Sequence, residues 1–220
     1  MTIAPPRVLS VNVGTPRTVR LPTRTITTAI WKAPVRGRVA ARGHNLEGDA
    51  QADRSVHGGP HKAVYAYALE ERRWWEAEVG RELEPGCFGQ NLDVDGLELG
   101  DARVGERWAV GSAVLEVSEP RLPCFKLGLR MGDPGFLRRF AEAGRPGAYL
   151  RIVAAGELAA GDRIEVLERP DHTVTMKLMA RAQLEDHGLA ERLLEAPALS
   201  PGWRAWAEEQ AARNGRGGTR

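Results

Sequence analysis

The sequence predicts a mainly β fold with flanking helices (α+β), in which a barrel or a sandwich is followed by a small helical module. Two observations support this prediction. Over the first two thirds of the chain, short apolar and β-branched runs alternate with Gly and Pro, as they do in barrels and sandwiches. After Pro170 the apolar residues recur at helical spacing instead. With 220 residues, 42% of them hydrophobic, the chain can bury one substantial core.

The β region contains six predicted strands and two predicted helices. The strands are expected at residues 8–13, 25–31, 63–67, 113–117, 149–153 and 163–167. One helix is expected over residues 69–79. The other is expected over residues 134–143, with Asp133 as its N-cap and Pro134 in its first turn. Because both helices are amphipathic enough to pack against the sheet, Trp74 and Trp75 are expected to be packing residues.

Three short helices are predicted in the C-terminal part. Gly188 would break the first from the second, Pro197 would end the second, and Ser200 with Pro201 has the chemistry that begins the third. A module of this size is marginal alone, so we expect it to dock on the β region or on a partner. The predicted organisation is a β domain at 1–169, a three-helix module at 170–212, and a disordered basic tail at 213–220.

Composition excludes several classes of protein. The 31 basic residues are offset by 29 acidic ones, which argues against a dedicated nucleic-acid surface. No stretch approaches the roughly 20 apolar residues of a membrane span, and the start has no signal-peptide core. The two cysteines cannot build a disulfide framework or an ordinary four-cysteine iron–sulfur cluster, so we expect a reducing cytoplasm.

Cys124 lies in the most informative segment of the chain. Pro120 and Pro123 stiffen the approach to this thiol, and Arg121 and Lys126 flank it. A nearby positive charge favours the thiolate, the form that attacks electrophiles or binds a soft metal. A free cysteine is also commonly a small buried hydrophobe, so the segment by itself fits core packing as well as chemistry.

A second polar run, residues 48–62, leads directly into a predicted strand. Its glycines allow backbone amides to approach an anion closely, and its basic groups surround that turn, as a phosphate cradle requires. The residues concerned are Asp53, Arg54, His57, Gly58, Gly59, His61 and Lys62. The alternative is that this run is a polar loop that binds no ligand. Zinc is a minor option, because Gly-Gly-Pro between His57 and His61 forbids a regular helix there.

Two further segments carry candidate ligands. Lys32 lies at a strand end before a proline, and only four of the 31 basic residues are lysines, whose compact charge suits phosphate. Asn91 ends a tight turn over residues 85–91 and offers an amide that can bond a polar heterocycle or an anion. Cys87, in the same turn, lacks close cations and is expected to be inert.

These four segments, in this order, closely resemble the MOSC family, named for the molybdenum-cofactor sulfurase C-terminal domain. The residues that carry the resemblance are 28–37, 48–67, 85–91 and 116–126, followed by 147–151 and 161–162. Residues 172–206 resemble the three-helix appendage of the bacterial YiiM-type branch. The resemblance extends over nearly the whole chain, and several spaced motifs in register are more specific than any one of them.

The resemblance implies a MOSC-type β-barrel that binds the molybdenum cofactor, molybdopterin with molybdenum, with Cys124 as a protein ligand to the metal. The implied cofactor-binding residues are Lys32, Arg54, His57, Gly58, Gly59, Lys62, Asn91, Arg121 and Lys126. Members of this branch reduce N-hydroxylated compounds such as hydroxylaminopurines to amines. The expected proton donor is His57, with Asp53 as its orienting partner. Electrons are expected from an external flavoprotein reductase.

Two departures from the family pattern concern other positions. Gln90 stands where the family more often has glutamate, and Arg72 replaces a histidine that is common in relatives. Both leave Cys124 intact. Two other functions remain open: a sulfur transferase that carries a persulfide on Cys124, and a non-catalytic carrier of the cofactor. The physiological substrate and the oligomeric state do not follow from the sequence.

Overall fold

The structure is a computed structural model, and it describes residues 5–52 and 58–217. Its strands within these ranges are β1 (Arg7–Val13), β2 (Arg17–Arg20), β3 (Thr25–Thr28), β4 (Ala33–Pro34), β5 (Val39–Arg42), β6 (Asn45–Leu46), β7 (Val64–Ala68), β8 (Leu92–Asp95), β9 (Arg107–Val110), β10 (Ala113–Glu119), β11 (Ala148–Ala154), β12 (Gly156–Leu158) and β13 (Ile164–Glu168). Its α-helices are α1 (Leu69–Val79), α2 (Phe125–Met131), α3 (Phe136–Glu142), α4 (Met176–Leu184), α5 (Ala190–Leu193) and α6 (Pro201–Gly217). The predicted α+β class is confirmed.

The central sheet has eight strands in the order β13-β9-β10-β11-β7-β8-β1-β4. Strands β7 and β8 pair in parallel and are joined by a crossover through α1. The sheet curls into a half-barrel that brings β1 back to the start of β13, where Arg7 and Arg163 form a bridge. A three-stranded sheet, β12-β5-β6, and the hairpin β2-β3 complete the β region.

Most predicted strands agree with the structure to within one or two residues. The exception is residues 25–31, where β3 ends at Thr28 and the chain continues as a loop. The helix predicted over residues 69–79 is α1, which ends at Gly80 in the left-handed conformation. The helix predicted over residues 134–143 begins at Phe136, although the Asp133 carboxylate still accepts the Gly135 N–H at 2.8 Å.

The C-terminal helices share a core with the half-barrel. Met179 of α4, Leu193 of α5 and Trp203 of α6 belong to the same buried cluster as Trp108 and Leu115 of the sheet. The prediction of disorder from residue 213 is wrong for the part of the tail that is described, because α6 continues to Gly217. Arg213 pairs with Glu209 one turn earlier at 2.6 Å, which favours helix there.

A second buried cluster is rich in aromatic residues and lies between α1 and α3. Trp75 is 1% exposed and stacks on Phe140, and its indole N–H donates to the Tyr67 hydroxyl at 2.9 Å. Trp75 is therefore a packing residue, as predicted.

Within the described residues, no helix combines the length and the apolar character that crossing a membrane requires.

Candidate functional site

A pocket lies beside Cys124, between the loop after β3, the start of β7 and the segment that leads into α2. We call it the cysteine pocket. Its polar and aromatic lining comprises Thr28, Lys32, Asp49, Gln51, Lys62, Tyr65, Asn91, Arg121, Cys124, Lys126 and Tyr149. Its volume of about 90 Å³ is well below the 300–1,000 Å³ typical of pockets that enclose a whole ligand. It therefore suits a small anion or one end of a larger molecule.

Cys124 is half-buried and immediately precedes α2. Its backbone is extended, with φ −138° and ψ 159°, and its carbonyl accepts the Leu127 N–H at 2.8 Å. Residues 120–124 form no regular secondary structure. The prolines at 120 and 123 disfavour helical conformations in the residues before them, so α2 begins only after the cysteine.

Lys32, Asp49 and Asn91 form a buried network in one wall of the cysteine pocket. The Lys32 ammonium pairs with the Asp49 carboxylate, and their side chains are 10% and 2% exposed. Asp49 also accepts the Gly14 N–H at 2.8 Å and the Asn91 amide at 2.9 Å. Burial lowers the pKa of Lys32, while Asp49 acts in the opposite direction. Lys32 is thus engaged by a carboxylate, and Asn91 holds the wall together.

Arg121 is buried, and its guanidinium lies over the Tyr65 ring, 5.2 Å from the ring centroid. Its Nη1 donates a weak hydrogen bond of 3.5 Å to the Tyr149 hydroxyl. Its Nε is buried and has no hydrogen-bond partner among the described residues. Because leaving a buried donor unpaired is costly, this atom indicates a place for an acceptor on a ligand.

Lys62 and Lys126 complete the basic lining. The Lys62 ammonium lies 3.6 Å from a carboxylate oxygen of Glu119, and Lys126 is only 9% exposed. Among the described residues that line the cysteine pocket, four cations therefore face the single carboxylate of Asp49. This arrangement favours an anionic ligand next to the thiol.

The structure brings six of the predicted site residues together in the cysteine pocket. They are Lys32, Lys62, Asn91, Arg121, Cys124 and Lys126. It does not bring Gly58 and Gly59 to this lining. Gly58 borders a different cavity, and the Gly59 N–H donates to the Gln51 side chain at 3.0 Å. Asp53, Arg54 and His57 lie outside the described residues.

Several residues of the pocket were not predicted from the sequence. Asp49 was the most important, because it anchors Lys32, Asn91 and the backbone of Gly14. Its position after Gly48, in a polar run, was the available signal. Tyr65 and Tyr149 were also missed; their rings lie 4.8 Å apart, and both contact Arg121. Both lie in predicted strands, where a tyrosine is expected to pack in the core, so their type and position did not indicate a site.

The two departures from the family pattern meet at one buried carboxylate. Asp93 is 1% exposed and accepts hydrogen bonds from Gln90 and Arg72, each at 3.0 Å. It also accepts from Ser10 at 2.9 Å and Asn12 at 2.8 Å. Gln90 and Arg72 are therefore structural residues in this chain, because they satisfy a charge that would otherwise be buried without partners.

A group of three or more His, Cys, Asp and Glu side chains able to hold a metal ion is absent from residues 5–52 and 58–217. His61, the described member of the histidine pair considered for zinc, has its Nδ1 3.1 Å from the Ser118 hydroxyl. Among the described residues, Cys124 therefore has no cluster of further His, Cys, Asp or Glu side chains beside it.

Comparison with known proteins identifies similar chains and a domain family. Residues 53–165, which include Cys124, match the model of the MOSC domain. The chain is 36% identical to YflK of Bacillus subtilis (strain 168) over 201 residues, which cover 90% of this chain and 91% of that protein. It is 38% identical over 149 residues to a protein of Gibberella moniliformis named reductase; the match covers 66% of this chain and 26% of that protein.

A solved structure shows the same fold. The crystal structure of YiiM from Geobacillus stearothermophilus superposes with a TM-score of 0.77 at 27% sequence identity, covering 94% of this chain and 99% of that one. The family model and the relative with 36% identity each span at least half of the chain. On these grounds, the chain belongs to the MOSC domain family.

Proposed function

We propose that this chain is a molybdenum-cofactor-binding oxidoreductase that reduces N-hydroxylated compounds, such as hydroxylaminopurines, to amines. The observation that carries the proposal is a half-buried thiol, Cys124, in a pocket lined by four cations and one paired carboxylate. Membership of the MOSC family and the relative named reductase support it.

The residues present fit such a cofactor. Molybdopterin is anionic through its phosphate and its dithiolene sulfurs, and the cysteine pocket has an excess of positive charge. The Nε of Arg121, which has no hydrogen-bond partner in the part of the chain that the structure describes, would donate to an acceptor on the cofactor. A thiolate is a ligand that soft and borderline metals accept. When bound, the cofactor would supply the two-electron redox chemistry.

The chain's own residues would bind, orient and protonate. Arg121, Lys62 and Lys126 would hold the anionic groups, and Cys124 would ligate the metal. Lys32 and Asn91, through Asp49, would keep the pocket wall in place. Reduction breaks the N–O bond, consumes two electrons and two protons, and releases the amine and water.

We propose His57 as the proton donor and Asp53 as the residue that orients it. Imidazole titrates near neutral pH, and these residues directly precede the described segment that reaches the pocket. His57→Gln should lower turnover while leaving the metal content unchanged. Loss of metal in this variant would instead assign His57 to cofactor binding.

The electrons would come from a separate flavoprotein reductase. The two cysteines of the chain are too few for an ordinary iron–sulfur cluster. The protein named reductase contains the matched segment as 26% of its length, so this segment occurs there within a longer chain. We also propose a cytoplasmic location, because free cysteines suit a reducing compartment.

Molybdenum content tests the proposal directly. Elemental analysis of protein from a cofactor-proficient host should give close to one molybdenum per chain for the native sequence and for Cys87→Ser, and almost none for Cys124→Ser. The metal-loaded protein should then reduce N-hydroxylated bases when a chemical reductant is supplied. Absence of metal from the native chain, although it is folded, would refute the proposal.

A persulfide carrier is the second candidate, because a half-buried thiol among cations would also stabilise a persulfide anion. In that case intact mass analysis would find one extra sulfur on Cys124, which dithiothreitol removes, and no stoichiometric molybdenum. A cofactor carrier without catalysis would bind molybdenum but would show no turnover with reductant and N-hydroxylated bases.

A further inference from the structure

A second cavity lies where the half-barrel meets the C-terminal helices. We call it the junction pocket, and the residues that define its character are His61, Lys62, Glu119, Leu122, Trp203 and Trp206. Its volume is about 380 Å³, which is within the range of pockets that enclose a small organic molecule. The cysteine pocket, at about 90 Å³, is too small for such a molecule.

The two pockets adjoin. Lys62 contributes to the lining of both. The segment that ends β10 and leads to α2 also borders both, because Leu122 faces the junction pocket and Cys124 faces the cysteine pocket. Lys62 and the segment from Glu119 to Cys124 therefore form the boundary between the two pockets.

One wall of the junction pocket is apolar and aromatic. Trp203 and Trp206 lie one turn apart on α6 and make an edge-to-face contact with ring centroids 5.6 Å apart. Trp203 is buried, whereas Trp206 is partly exposed, and Leu122 contributes from the opposite element. Indole rings present faces on which a flat ring can pack.

Another part of the lining of the junction pocket is polar. Glu119 has a side chain only 8% exposed, and its charge is balanced by Lys62 at 3.6 Å. His61 lies beside it with Nδ1 3.1 Å from the Ser118 hydroxyl. Burial is the main cause of the lowered pKa of His61, so its imidazole is neutral at neutral pH. The pocket therefore offers a carboxylate acceptor and a neutral imidazole in addition to two indoles.

We propose that the junction pocket binds the planar heteroaromatic ring of the substrate, a purine-like base, and directs its exocyclic nitrogen toward the cysteine pocket. Trp206 and Trp203 form the apolar wall, and Glu119 and His61 bond the ring's edge. The identity of the base rests on the proposed function. The pterin ring of a cofactor shares this flat, polar chemistry, so the test must separate the two occupants.

The experiment measures binding of adenine, the amine product, to the metal-loaded protein by titration calorimetry. Trp206→Leu should weaken adenine binding tenfold or more, because it removes one aromatic face. Trp74→Leu is the matched control. Trp74 is also partly buried, also makes an edge-to-face contact with a neighbouring tryptophan, and lies on α1, away from the pocket lining. The affinity of the Trp74→Leu variant for adenine should stay within twofold of the native value.

Three results would overturn the proposal. They are absence of saturable adenine binding to the native protein, equal affinity in Trp206→Leu, and a lowered molybdenum content in Trp206→Leu, which would assign the pocket to the cofactor. If Trp206→Leu does not fold, Trp206→Ala and Trp206→Phe replace it; the Phe variant keeps a ring and should bind within threefold of native. Adenine binding that depends on Trp206, in a protein that reduces no N-hydroxylated base, would support the pocket and refute the proposed function.

Discussion

Cys124 and Cys87 are the two cysteines of the chain, and their surroundings differ in almost every respect. Cys124 is half-buried in a pocket with four cations. Cys87 is 3% exposed and packs in the aromatic cluster with Trp75 and Phe88. Burial, reinforced by the Asp93 carboxylate, raises the pKa of Cys87 to about 12.

This difference shows that the chemistry of a thiol is set by the element that carries it. Cys124 stands in an irregular segment between two prolines and a short helix, so its side chain reaches a cavity. Cys87 stands in a tight turn that folds inward, where its N–H donates to the Glu84 carbonyl at 3.1 Å. One environment is suited to ligand chemistry and the other to packing.

Alkylation should separate the two cysteines by the largest factor. At pH 8 a thiol with a pKa near 12 is ionised in only about one molecule in ten thousand, and Cys87 is shielded as well. Iodoacetamide should therefore label the Cys87→Ser variant, which retains Cys124, at least a thousandfold faster than it labels Cys124→Ser. Mass spectrometry would follow both reactions. Similar rates in the two folded variants would contradict the assigned environments.

The buried pair of Lys32 and Asp49, in the wall of the cysteine pocket, should contribute strongly to the stability of the protein. Asp49→Ala leaves the Lys32 ammonium buried without its carboxylate, which should lower the free energy of unfolding by about 3–5 kcal/mol. Glu47→Ala is the control, because its pair with Arg42 is solvent-exposed and should contribute less than about 1 kcal/mol. Urea unfolding measures both. An equal effect of the two substitutions would show that the buried pair has no special role.

The free energy of unfolding should depend on pH through the buried carboxyl of Glu71. Burial raises the pKa of this carboxyl to about 7, against 4.5 for an ordinary glutamate. As pH rises from 4.5 to 7, the unfolded chain loses this proton before the folded one does, so stability falls. The expected loss is about 3 kcal/mol.

Glu71→Gln should remove this loss, whereas Glu70→Gln, at an exposed neighbour, should keep it. Urea unfolding at intervals between pH 4.5 and 8 would compare the two variants. A Glu71→Gln profile that falls as steeply as that of the native protein would contradict the assigned pKa.

The smallest effect concerns packing at the two cysteines. Cys87→Ala deletes a buried sulfur from the aromatic cluster and should cost about 1–2 kcal/mol of the free energy of unfolding. Cys124→Ala, measured without cofactor, should change it by less than about 0.5 kcal/mol. A larger loss at Cys124 would mean that this residue is also part of the core.

Longer strands such as β1 and β7 could be predicted from sequence, because they are rich in β-branched, aromatic and other apolar residues. The short strands β2, β4, β5, β6, β8, β9 and β12 were missed, since two to four residues give no measurable alternation. Helix α2 was also missed, because the prolines before Cys124 suggest a loop and its seven residues give little periodicity.

The site was only partly predictable, for a different reason. Sequence can identify residue types that suit an anion, and six of those predicted do line one pocket. Sequence cannot show which of these residues are instead bonded to other side chains of the protein. Lys32 and Asn91 are bonded to Asp49, a residue 17 and 42 positions away respectively. Such partners become visible only when the fold brings distant segments together.

The buried carboxylate of Asp93 makes the residues that bond it depend on one another. Gln90 and Arg72 both donate hydrogen bonds to it, each at 3.0 Å. Glutamate at 90 beside the present Asp93 would bury two carboxylates against one arginine, and histidine at 72 alone would remove the permanent cation. Because the two donors share one acceptor, the effects of substituting them should not add, and a double-mutant cycle measures the coupling between them.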